Sequence, residues 1–77
     1  MPVIFKIDRF KVSIHADDHA PPHVHVNYKD IEIVVDLRNL AIMHMTKKVS
    51  RGDLRAIMAA IKSRQAQFLD SWENSHG

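Results

Sequence analysis

Three histidines fall within seven positions in the stretch Asp17-Asp18-His19-Ala20-Pro21-Pro22-His23-Val24-His25-Val26. Two carboxylates and a diproline share the run, and no other segment gathers so many groups that titrate, ligate metal or move protons. Alternate residues of a strand project to one face, so His23 and His25 can converge on one ion across roughly 6.5–7 Å. His19, returned by the diproline turn, or Asp17 or Asp18 would add a third ligand. Three protein ligands plus water is the layout of catalytic zinc, and two histidines with a carboxylate also suit iron or another transition ion. The metal set read from the sequence is His19, His23, His25 and Asp18, with zinc as its first occupant.

The same three imidazoles, His19, His23 and His25, are the catalytic candidates without metal, because histidine accepts and donates protons near neutral pH. Two histidines and a lysine could cleave RNA through the ribose 2′-hydroxyl, with Lys11, Lys29 or Lys47 meeting the phosphate charge. A structural reading competes with both chemistries. Pro21 and Pro22 lack amide donors, so nearby carbonyls need other partners, and His19 and His23 can pin that loop to the sheet. His15 and His44 read as exposed or internally satisfied, and His76 falls in a tail expected to fray.

A second feature is cationic. Lys47, Lys48, Arg51 and Arg55 cluster where a helix should begin, and free amides with the helix dipole favour anions there, so these four are the nucleic-acid or anion-binding candidates. Tyr28 is the aromatic residue placed to stack on a base, while Met43 and Met45 read as core packing.

The elements that must position these groups follow from periodicity. Val3, Phe5 and Ile7 are apolar on odd positions, then Phe10, Val12 and Ile14 on even ones. A strand cannot change face without a turn or bulge, so Asp8-Arg9 marks a tight hairpin or a bulge; the hairpin is favoured, with Lys11, Ser13 and His15 then on the wetter face. After a loop over 16–22, Val24, Val26 and Tyr28 alternate with His23, His25 and Asn27. Lys29-Asp30 reads as a two-residue turn into Ile31, Ile33, Val35 and Leu37, and 40–45 as a short last strand. Ser50 then stands three residues before Asp53, a capping arrangement. Leu54, Ile57, Met58, Ile61, Phe68, Leu69 and Trp72 recur at helical spacing, which predicts one helix over about 51–73, about 35 Å long at 1.5 Å per residue. Such a helix would overhang the sheet and reach another chain.

The expectation is a single α+β domain over 1–77: an antiparallel sheet of three to five strands within about 3–46, with one long C-terminal helix on one face. A chain of 77 residues cannot build two cores, and its small core and open sheet edges call for a partner. There is no cysteine, which excludes disulfides and thiolate zinc sites. No apolar run approaches the roughly 18 residues of a membrane helix, so a soluble, cytoplasmic protein without membrane contact is expected. A net charge of +2 permits nucleic-acid binding without arguing for it.

Met1-Pro2 before a short strand, then Asp18-His19-Ala20-Pro21-Pro22-His23-Val24-His25-Val26, then a helix ending Leu69-Asp70-Ser71-Trp72-Glu73, resembles a family of small bacterial proteins. That family is labelled only as domain of unknown function 4160, and its hallmark is Asp-His-x-Pro-Pro-His-x-His-Val. Its members are often encoded beside another small protein in toxin–antitoxin-like arrangements. The resemblance therefore implies a small protein partner, with an RNA or DNA target as a further partner, and it carries over no catalytic residues. The reading is an interaction module that binds a protein partner, or forms a homo-oligomer, and contacts nucleic acid through the helix start. The alternative is a histidine-site enzyme, either a metal-assisted hydrolase or a metal-free ribonuclease.

Overall fold

The computed structural model describes residues 3–7, 9–15 and 19–76. Five strands come first, β1 (Val3–Ile7), β2 (Phe10–Ile14), β3 (His23–Tyr28), β4 (Ile31–Asp36) and β5 (Ile42–Met45). Two helices follow, α1 (Arg51–Ser63) and α2 (Gln65–His76). The strands form one antiparallel sheet in sequence order, β1-β2-β3-β4-β5.

The phase change between β1 and β2 is a hairpin. Ile7 pairs with Phe10 and Phe5 with Val12, so odd residues of β1 and even residues of β2 share a face. Asp8, in that turn, lies outside the described residues, as do Asp17 and Asp18 of the next loop. Tyr28 pairs with Ile31 across the two-residue turn, where Lys29 adopts a φ of 55°. The carbonyls freed by the diproline find partners nearby: Leu37 N–H donates to Pro22 O at 2.9 Å. The Ala20–Pro21 peptide is cis.

Val12, Ile14, Val24, Val26, Ile33 and Val35 are fully buried, in one cluster with Ile57, Ile61, Phe68 and Trp72 of the helices. Fully burying a side chain of this size stabilises by about 1.5–3 kcal/mol. The phenyl rings of Phe5 and Phe68 lie 5.0 Å apart, which ties α2 to the β1 side of the sheet.

The expected single helix is two helices. Arg64, with φ −117° and ψ 15°, interrupts the turn and donates its N–H to the Ile61 and Lys62 carbonyls. The side-chain amide of Gln65 then donates to Leu37 O at 2.6 Å and Arg38 O at 3.2 Å, anchoring the new helix to the end of β4. The residues at 64 and 65 are polar where an unbroken apolar stripe would need a core side chain. The consequence is a correction: the C-terminal turns do not overhang, because Phe68 and Trp72 are buried in the core. Helix α2 also continues to His76, past the expected fraying point. No helix of the described residues is long and apolar enough to cross a membrane.

Candidate functional site

The face of the sheet opposite the core carries the chemistry, because every residue that alternates with a buried one must point there. The pairing aligns those residues in rows. One crosses all five strands through Ile4, Ser13, His25, Val34 and His44. A second runs through Lys6, Lys11, Asn27 and Glu32, and in a third His23 pairs with Asp36.

Along this face the imidazoles touch. His23 and His25, two apart on β3, meet edge to face with centroids 5.2 Å apart. His15, just beyond β2, packs edge-on against His25 at 4.5 Å. Glu32, on β4, brings a carboxylate oxygen 3.5 Å from His25 Nδ1. Ser13 lies 3.3 Å from His15 Nε2, and its hydroxyl donates to His25 O at 3.4 Å. With that proton committed, the contact to His15 forms when His15 Nε2 carries the hydrogen.

His23 begins β3, at the end of the sheet that α2 closes over. It is buried, and its Nδ1 donates to the Pro21 carbonyl at 2.7 Å, since a carbonyl only accepts. That bond fixes the tautomer and places the lone pair of the neutral ring on Nε2. The ring also meets Trp72 at 5.1 Å, and Trp72 in turn stacks on His76 at 3.7 Å with the planes 14° apart. His76 Nδ1 donates to Trp72 O at 2.9 Å. The order of contacts is therefore His15, His25, His23, Trp72, His76.

The structure thus brings together two of the three candidate histidines and adds two that periodicity alone undervalued. His15 is half-buried against His25, and His76 is an ordered helical residue. The signal for His15 was its place in phase with Ser13 on the wetter face; seeing it required the β2–β3 register. His19 is exposed and makes no ring contact among the described residues. No group of three or more histidines and carboxylates among the described residues could hold a metal ion. The set of His19, His23, His25 and Asp18 is therefore not assembled by its described members, and Asp18 lies outside them.

A family known as a domain of unknown function, DUF4160, matches residues 9–73. The chain belongs to DUF4160. No curated protein and no solved structure matches it. The DUF4160 match takes in His15, His19, His23, His25, His44 and Trp72, while β1 and His76 fall outside it.

The cationic candidates of this DUF4160 member are placed differently from one another. Lys47 Nζ is 3.2 Å from Asp30 Oδ2, and its hydrogen bond and charge hold the Asp30 carboxyl below the usual range. Lys48, Arg51 and Arg55 are exposed at the start of α1. The helix end itself is capped from within: Ser50 Oγ accepts from Asp53 N–H at 3.2 Å. Asp53 adds a negative charge to the same turn, and the Tyr28 hydroxyl donates to it at 2.6 Å. That bond, more than the Ser50 contact or the charges of Arg9 and Lys29, lowers the Asp53 pKa. Tyr28 is buried on the core face, so it is not the base-stacking platform expected from sequence.

Proposed function

We propose that the protein is a small interaction module, one half of a two-protein pair of toxin–antitoxin type, and that β1 receives an extended segment of its partner. The observation that carries this reading is the contrast between the sheet's two edges. Unpaired strand edges recruit other strands unless bulges, prolines or charges blunt them. On β5 the pairing shifts from Val34–His44 to Val35–Ile42, so Met43 is an extra, bulged residue. On β1 the pairing to β2 is regular over all five residues, and Val3 and Ile4 are 36% and 55% exposed. Both edges expose apolar side chains, Ile42 at 39% and Met43 at 48% on β5, so it is the regular pairing of β1 that suits strand addition, in which backbone hydrogen bonds give affinity and alternate side chains give specificity.

Co-expression with the product of any small reading frame adjacent to its own, followed by light scattering on the purified species, tests this. A stable heteromer is expected, weakened at least tenfold by Ile4→Lys and little changed by Met43→Lys. A homodimer broken by Ile4→Lys would make the occupant a second copy. A monomer that forms no complex, or a complex lost only with Met43→Lys, overturns the reading.

The contact between His15 and His25 favours a second reading, a histidine-site enzyme working by acid–base chemistry. With centroids 4.5 Å apart these rings leave no room for a phosphate between them, so a substrate would lie across both. Its test is hydrolysis of RNA by the purified protein and by a His15→Ala/His25→Ala variant, with metal content measured on both. Activity that survives the double substitution sinks this reading.

A further inference from the structure

We propose that the helix-free sheet face holds a binding track for single-stranded nucleic acid, with its phosphate site at the β1–β2 hairpin rather than at the start of α1. Lys6 and Lys11 are direct cross-strand partners. Like charges directly opposite one another destabilise a sheet, so an anion bound there would relieve the pairing. Both lysines are exposed, and among the described residues neither makes an ion pair. With Phe10 and with Arg9, whose charge also acts on Asp53, they line an open concavity of about 190 Å³.

What lies next to that concavity identifies the ligand class. Asn27 pairs with Lys11 and is exposed, and His25 occupies the diagonal position on the same face. Strands stand about 4.8 Å apart, so a phosphate held between β1 and β2 lies roughly 7 Å from β3. One nucleotide spans that distance. Its base then reaches Asn27, which can donate and accept, and the imidazoles of His25 and His15, which offer ring edges. Glu32 ends the row on β4 and sets the limit of the cationic strip. A shallow sheet face suits unstacked bases, whereas a duplex would offer it only backbone. The track borders the partner edge proposed above, because Lys6 lies two residues along β1 from Ile4 on the same face, and the test below reads nucleic-acid binding on the protein without a partner.

Fluorescence anisotropy with labelled 12-nucleotide RNA and DNA strands of one mixed sequence, their duplex, and a 12-residue polyglutamate tests the track over a salt series. Wild type should bind a single strand, with RNA preferred over DNA if the ribose is read. Lys6→Ala/Lys11→Ala should weaken binding about tenfold or more. It should also flatten the log–log salt slope by about 1.4, since each phosphate contact to a single strand contributes about 0.7. Both positions are exposed, so the variant should fold, which circular dichroism checks. Lys48→Ala/Arg51→Ala should leave binding intact. Failure to bind either strand at low salt, equal binding of duplex or polyglutamate, or a loss confined to the Lys48/Arg51 variant overturns the proposal.

Discussion

The two faces of the sheet share the same backbone and the same registers, yet they are built for different tasks. On the covered face, Val12, Val26 and Ile33 are fully buried and aligned across three strands. One residue along, the open face aligns Ser13, His25 and Val34, then Lys11, Asn27 and Glu32. The register is fixed by the face that must be dry, because a slip of one residue would carry Lys11, His25 and Asn27 into it. The dry face therefore specifies the positions of the wet one. Substitutions on the covered face should change stability, and those on the open face should change what is bound.

The largest effect is expected where α2 meets the core. Phe68 is fully buried and packs on Phe5, so Phe68→Ala should cost about 3–5 kcal/mol in denaturant unfolding. In a domain this small, such a loss takes most of the stability. A cost under about 1 kcal/mol would show that α2 does not close the covered face. Next comes the border between the faces. His23→Ala strips the Pro21 carbonyl of its donor and removes the ring from Trp72, a loss of about 1–3 kcal/mol. Faster amide exchange at Leu37, which bonds to Pro22, should accompany it. His15→Ala and His25→Ala, on the open face, should each stay within about 1 kcal/mol of wild type. If His25→Ala costs as much as His23→Ala, the division between scaffold and display fails.

Most of the dry face was legible in the sequence, because burial writes itself into a local period of two. Val24, Val26 and Tyr28, then Ile31, Ile33 and Val35, alternate across a two-residue turn, and the phase change after Ile7 located the first hairpin. Ser50 and Asp53 marked the start of α1 for an equally local reason. The break at Arg64 was not legible: seven residues separate Ile61 from Phe68, a spacing that two uninterrupted turns also satisfy. Its anchor is the Gln65 amide on carbonyls 28 and 27 residues away, a contact no local pattern records. The candidate site was half legible for the same reason. His23 and His25 share a strand and could be paired by counting, whereas His15 and His76 join them only through strand register and helix docking.

The smallest effect tests the polar anchor between β3 and α1. Tyr28 is buried, and its hydroxyl donates to Asp53 on α1. The bond favours the carboxylate, so the folded-state pKa of Asp53 lies below its ordinary value of 3.8. A carboxylate whose pKa is depressed on folding contributes stability that is fully present above its unfolded pKa and is lost as pH falls through the folded one. Tyr28→Phe should therefore lower the melting temperature slightly at pH 6, and the gap to wild type should close as pH drops below about 4. Asp30 titrates in the same direction through Lys47, but it is present in both proteins and cancels in the comparison. Thermal melts between pH 2.5 and 7 read the difference directly. A gap that persists unchanged at pH 2.5 would mean that Tyr28 acts through packing alone, leaving the covered face held by apolar contact without a charged anchor.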